Sequence, residues 1–260
     1  MASQFVLFGS QHLISIASIF LISVLFPLVI KGLNVKSVTK TVLLILGITL
    51  IAHELIKPFY RVIYYDHSIY EVFPIHICHL AALSMGIFIL TKVKFFFEVA
   101  YFFGLTGNIL AMVTPDLDYS YPDPEFITYY FGHGLLFLTV FYVCICTDVK
   151  LTWWSVFRVL VFAVSLLPLI YLLNLYLVSY FADVNYWYLM ITPAANTLLD
   201  FFPAPPWHIP YLAILALILF VMSYWVYLAL MRLNKFKYLN RIIILKDNFF
   251  IPVSDNYSVI

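Results

Sequence analysis

Seven stretches of the chain approach the apolar length of about 20 residues that a helix needs to cross a hydrocarbon core. They run Leu13–Ile30, Thr41–Ile56, Val72–Leu90, Phe95–Val113, Phe126–Cys146, Trp153–Val178 and Ile209–Leu233. Polar and charged residues gather between them, so the pattern predicts an all-α bundle of seven transmembrane helices. Composition strengthens this: 64% of residues are hydrophobic, 10% are charged and the mean hydropathy is +1.00. A water-soluble domain of this size carries far more charge on its surface. The chain is therefore expected to be a polytopic integral membrane protein with membrane lipids as its partners. A formal net charge of +1, with no basic stripe, argues against nucleic-acid binding.

Charge then orients the bundle. Lys31, Lys36, Lys40, Lys92, Lys94, Lys150, Arg232, Lys235, Lys237, Arg241 and Lys246 fall on one side, and only Lys57 and Arg61 on the other. Eleven against two predicts an extracytoplasmic N-terminus and a cytoplasmic C-terminus. Arg158 lies inside the sixth stretch near its basic end, where it can snorkel. No Lys or Arg precedes the first stretch, so it lacks the charged start of a cleavable signal and is expected to be retained. Residues 1–234 form one membrane domain, and residues 235–260 a less apolar cytoplasmic tail.

Several features read structurally. Gly104, Gly107 and Ala111 recur at helical spacing, which lets neighbouring backbones approach. Pro168 is expected to kink the sixth helix. The long connection from Asn185 to Trp207 is rich in aromatic residues and proline. It suits either a lid or re-entrant segment, or an aromatic belt at the headgroups.

Depth brings candidate chemistry together. A rise of about 1.5 Å per residue puts Cys78, six residues into the third stretch, roughly 9 Å below the outer surface. His133 lies seven residues into the fifth stretch, Asn108 six short of the end of the fourth, and His53 and Glu54 four or five before Pro58. Four helices thus offer a polar group at one level, and such groups inside a membrane mark a functional site by default. His76 and His79 straddle Cys78 but project in different directions around the helix. The blander alternative makes His12, His67 and His208 interfacial or backbone-bonded, and Cys144 and Cys146 apolar fillers. Cys78 has no other cysteine on its side with which to form a disulfide.

Several motifs, in order from about residue 8 to 210, carry a resemblance. They are Phe8-Gly9-Ser10-Gln11-His12, Phe73-Pro74-Ile75-His76-Ile77-Cys78-His79-Leu80, Gly107-Asn108 through Thr114-Pro115-Asp116, Phe131-Gly132-His133-Gly134, and Asn185-Tyr186-Trp187-Tyr188-Leu189 with Pro193 and Pro206-Trp207. Together they resemble the bacterial YwaF-like integral membrane family, which implies the bacterial cytoplasmic membrane as location. Many relatives read Leu-Pro-Leu-His-Leu-Cys where this chain has Phe73 to Cys78. That family is distantly similar to a vertebrate transmembrane acyltransferase of ether phospholipids and to androgen-induced membrane hydrolases of fatty-acid esters. The resemblance implies a nucleophile at Cys78 and a base at His133. It also makes Asp116, Asn185 and Tyr186 candidates for the substrate pocket.

The expected activity is a lipid acyltransferase or ester hydrolase working through an acyl-thioester, with no cofactor. His133 would take the thiol proton. Asn108 or His53 would donate to the oxyanion, while Glu54, His76 and His79 are further orienting candidates. Two rivals remain. His53, His76, His79, His133 and Glu54 are ligand types for a zinc hydrolase, although only His208 lies near the last stretch, where a His-x-x-x-His pair is usual. A carrier or receptor for a small polar ligand would also bury such a cluster.

Overall fold

The computed structural model describes residues 3–65, 68–181, 184–192 and 198–235. His67, Pro193 and the expected cytoplasmic tail beyond Lys235 lie outside them. Among the described residues the fold is helical: α1 Ser10–Leu33, α2 Lys36–Tyr65, α3 Ile69–Val72, α4 Ile77–Thr91, α5 Lys94–Val113, α6 Pro124–Cys146, α7 Trp153–Val178 and α8 Ile209–Lys235. Short 3-10 turns at Tyr186–Tyr188 and Leu198–Phe201 lie between α7 and α8.

Local chemistry explains where the helices begin and end. Asp123 caps α6 by accepting the Glu125 amide at 2.8 Å, and Pro124 occupies the first helical position, where its missing N–H is harmless. Ser68 and Glu71 form a reciprocal capping box on α3. Asn34 ends α1 in the left-handed conformation, φ 52°, with its amide on the Lys31 carbonyl. Tight links follow α1 and α4, so α1 turns into α2 and α4 into α5 within a few residues. α7 continues unbroken through Pro168.

α5 and α6 form the buried centre. α4 packs chiefly on α5, α1 on α6, and α2 on both α4 and α6, while α7 and α8 pair against α5. The outer faces of α1, α2, α7 and α8 expose Ile14, Phe20, Ile45, Ile63, Leu172 and Ile218, among others. An apolar exterior on this scale belongs in lipid. Among the described residues, six helices are long and apolar enough to cross a membrane: α1, α2, α5, α6, α7 and α8.

The third stretch departs from expectation. A continuous helix from Val72 was expected, but α3 stops there and α4 starts at Ile77. α4 has 15 residues, about 22 Å at helical rise, against a core of about 30 Å. Pro74 is the physical reason, because it supplies no N–H and drives the residue before it out of the α region. Phe73 sits at φ −58°, ψ 137°, and the α4 cap His76 is also extended. Cys78 is consequently the second residue of a helix and not one buried two turns within it.

Polar pins hold each end of the bundle. At one end, Glu98 is 1% exposed and accepts from Arg158 Nε at 2.9 Å, Arg158 Nη2 at 2.5 Å and Ser155 Oγ at 2.8 Å. Arg158, its side chain about half exposed, thus clamps α7 to α5. At the opposite end His12 accepts the Phe8 amide through Nδ1 and donates from Nε2 to the Met112 carbonyl at 2.8 Å. His208 donates from Nε2 to the Tyr188 carbonyl at 2.9 Å. Cys144 fills the core, and the Cys146 thiol donates to the Pro27 carbonyl.

Removing Arg158 takes the closest cation from the buried Glu98 carboxylate and leaves it Ser155 and, 3.5 Å away, Lys94, whereas replacing both Arg158 and Glu98 with apolar groups is close to neutral. Arg158→Met is expected to lower the thermal midpoint in detergent, and Arg158→Met with Glu98→Leu to recover most of it. Equal destabilisation of single and double variants would refute the clamp.

Candidate functional site

Four helices converge on a small polar cavity at the end of the bundle that holds His12 and His208. α2 contributes His53, Glu54 and Lys57, and α4 contributes Cys78, His79 and Ala82. Asn108 of α5 and Gly132, His133 and Leu136 of α6 complete the lining. The void is about 10 Å³, the lower limit for one water. A neighbouring void of about 20 Å³ is lined by Lys57, Pro58, Arg61, Glu71, Val72, His76 and His79. Lys57 and His79 belong to both.

Glu54 is the hub. It is 5% exposed, and each carboxylate oxygen meets an imidazole. His53 Nδ1 lies 3.2 Å from Oε1, and His79 Nδ1 contacts Oε2. A carboxylate buried in an apolar bundle requires such donors. His53 also sets Nε2 3.3 Å from the Thr128 carbonyl. Both its nitrogens thus face acceptors, although a neutral ring has only one N–H to give them. His79 differs: with Nδ1–H given to Glu54, its Nε2 carries the lone pair.

His133 is fixed in the same tautomer by another partner. Its Nδ1–H donates to the Tyr129 carbonyl at 2.8 Å, one helical turn back, and its ring lies on the Tyr129 ring at 4.2 Å between centroids. Nε2 is again the acceptor. Among the described residues Cys78 and His133 share the cavity without a direct hydrogen bond.

Asn108 lines the cavity and is held by one of its two amide hydrogens. Its Nδ2 donates to the main-chain oxygen of His133 at 2.8 Å, so it positions the backbone under that ring. Its Oδ1 is buried without a partner among the described residues. His76 caps α4 and faces the neighbouring void, packed on Tyr186 at 5.1 Å and Tyr188 at 6.0 Å.

The connection after α7 divides into two parts. Its first part roofs the site. Asn174, fully buried, accepts the Tyr186 amide at 2.9 Å and donates to the Tyr186 carbonyl at 2.8 Å. The Tyr186 hydroxyl donates to the Tyr70 carbonyl, and Trp187 Nε1 to the Ile75 carbonyl at 2.9 Å. Trp187 and Tyr188 both adopt left-handed backbone, φ 60° and 55°. Burial pushes the Tyr188 phenol up to about 12, with Asp116 and Cys78 adding to the shift, so it remains a neutral hydroxyl. Asn185 spends its side chain on its own loop, donating to the Ile191 carbonyl and accepting the Met190 amide. Asp116 is exposed beyond α5. Neither Asn185 nor Asp116 lines the cavity. The second part of the connection exposes Phe201 and Trp207, as a headgroup belt would.

Sequence reasoning missed three contributors. Lys57 served only as a topological charge, yet it lines both voids and lies 5.8 Å from the centre of the Tyr129 ring. The free amides of the first turn of α4 were hidden by the misplaced helix start. Gly132 gave no signal of its own. A Cβ there would collide with the His53 ring and lie 3.0 Å from both its nitrogens. Gly107 likewise lets Ile77 and Cys78 approach α5, with a hypothetical Cβ only 2.9 Å from Ile77 Cγ2.

The zinc alternative finds no footing in this geometry. Among the described residues no group of three or more His, Cys, Asp and Glu side chains could hold a metal ion, because His53 and His79 aim Nδ1 at Glu54 and not at a shared centre.

Gly132→Ala is expected to force the His53 ring off α6 and break its bond to Glu54, because the obstructing atoms belong to a ring held at both nitrogens. Histidine side-chain chemical shifts should change for His53 while Gly104→Ala, where a Cβ meets only 3.5 Å contacts, leaves them in place. Unchanged His53 resonances in Gly132→Ala would contradict this.

Comparison with known proteins adds one finding. No curated protein and no solved structure matches the chain. The profile described as the TMEM164 family matches residues 7–224, a span that contains every residue of the cavity. With six apolar helices of spanning length, the chain is an integral multi-pass membrane protein, and it belongs to the TMEM164 family.

Proposed function

We propose that this protein is a membrane-embedded acyl-transfer enzyme that acts on lipid esters through a thioester on Cys78. The observation that carries this reading is the shared cavity of Cys78 and the unprotonated Nε2 of His133. An enclosed thiol is inert without a base. Here His133 Nε2 takes the thiol proton, the sulfur attacks the ester carbonyl, and the C–S bond forms. The departing alkoxide takes the proton from His133, which completes acylation. The second position of α4 favours the attacking anion, because the positive end of the helix dipole and the unpaired first-turn amides lie beside it. Those amides, with the second N–H of Asn108 Nδ2, are the donors available to an oxyanion.

The lipid-facing exterior suits an acyl chain that arrives from the bilayer. The basic-residue asymmetry puts the cavity toward the extracytoplasmic leaflet. α4 acts as a shortened third crossing in this arrangement, with the Phe73–His76 turn and the Asn185–Leu189 roof completing its outer end. Acceptance by water makes the enzyme a hydrolase, and acceptance by a lyso-lipid a transferase.

Incubation of the full chain in lipid nanodiscs with a clickable fatty-acyl phospholipid is expected to label Cys78 with a hydroxylamine-sensitive adduct. Cys78→Ala should abolish labelling, and His133→Ala should slow it by about 10²–10⁴, the usual contribution of a general base. An active Cys78→Ala protein, or labelling that persists elsewhere, would refute the proposal.

A further inference from the structure

The cavity contains two imidazole bases where acylation uses one. His133 and His79 each donate Nδ1–H and keep Nε2 as an acceptor, but their partners differ in kind. His133 leans on a neutral carbonyl of its own helix, Tyr129, at 2.8 Å. His79 leans on the carboxylate of Glu54, which belongs to another helix and is itself held by His53. A carboxylate stabilises the imidazolium that forms when the ring takes a proton, whereas a backbone carbonyl does so far less.

The two nucleophiles of a thioester cycle differ in the same sense. A thiol loses its proton near pH 8.5 in water, but water itself holds its proton to about 15.7. The stronger support is needed for the O–H nucleophile. Resting on the acyl-thioester reading, we infer that His79, oriented by Glu54, is the base that activates an O–H nucleophile against the Cys78 thioester. His133 serves the thiol.

The step balances as follows. The O–H proton passes to His79 Nε2 while its oxygen bonds to the thioester carbonyl carbon. The tetrahedral adduct collapses, the C–S bond breaks, and the sulfur regains a proton from the His79 imidazolium. The ester or acid departs, and both side chains return to their starting forms. Glu54 touches no reacting atom and is a positioning residue. His79 follows Cys78 on α4 and is turned about 100° from it, so its ring can stand beside the acylated sulfur without blocking it. The O–H group can come from water or from an alcohol, and the chemistry is shared.

The test separates the two half-reactions in the full chain in detergent micelles. With 4-nitrophenyl octanoate, wild type is expected to release one equivalent of nitrophenol in a burst and then turn over steadily. His79→Gln and Glu54→Gln should still form the octanoyl adduct on Cys78 but turn over about 100-fold more slowly, so the adduct accumulates. His133→Gln should lose the burst instead. Added 1-butanol distinguishes the source of the nucleophile: butyl octanoate marks an alcohol acceptor, octanoic acid alone marks water, and either agrees with the inference. Thermal midpoints monitor folding, and Glu54→Gln, nearly isosteric, keeps an acceptor in place. Variants of His79 and Glu54 that lose burst and turnover together while still folded, or that turn over normally, would overturn the assignment and leave the thioester reading intact. A wild type with neither burst nor adduct would overturn both.

Discussion

A carboxylate inside an apolar bundle must find its hydrogen-bond donors within the protein, and most of the site follows from how Glu54 finds them. Its two oxygens recruit His53 from the same helix and His79 from α4. That joins α2 to α4, directs both rings and fixes the proton of His79 on Nδ1. Gly132 then makes room for the His53 ring against α6. Asn108 ties α5 to the backbone beneath His133. Four helices are brought to one level by the need to satisfy a few polar atoms.

The other end of the bundle meets the same constraint with a different result. Glu98 is as deeply buried, but an arginine fork and a serine saturate it. Saturation makes a clamp. At Glu54 the donors are imidazoles, each with a second nitrogen to place, and His79 lines both voids. The choice of histidine over arginine separates a structural carboxylate from one that can take part in proton movement.

Much of the site was legible from depth arithmetic, for a plain reason. α5 and α6 run unbroken where Asn108 and His133 sit and end close to where expected, so counting residues from their ends placed those groups well; α2 instead continues past Pro58 to Tyr65, yet still brings His53 and Glu54 to the same level. The count for Cys78 began from a false start at Val72, yet the extended turn from Phe73 to His76 leads to the same cavity. Legibility ended where side chains choose partners. Nothing in the residue order says that Asn185 closes its own loop, that Asn108 faces a carbonyl, or that Lys57 borders two voids. The left-handed turn at Trp187 and Tyr188 has no glycine or asparagine to announce it. The TMEM164 match supplies the family but no geometry, so these contacts had to come from the structure.

Two adjacent aromatic residues in the left-handed region carry strain of about 1–3 kcal/mol each. The roof over the cavity is therefore a loaded spring, latched by Asn174 on one flank and by the Ile75 carbonyl on the other. A ligand that pulls the Trp187 indole from its latch lets the backbone relax toward ordinary angles. That relaxation refunds part of the energy lost with the contacts. Opening is accordingly cheaper than the number of buried rings suggests.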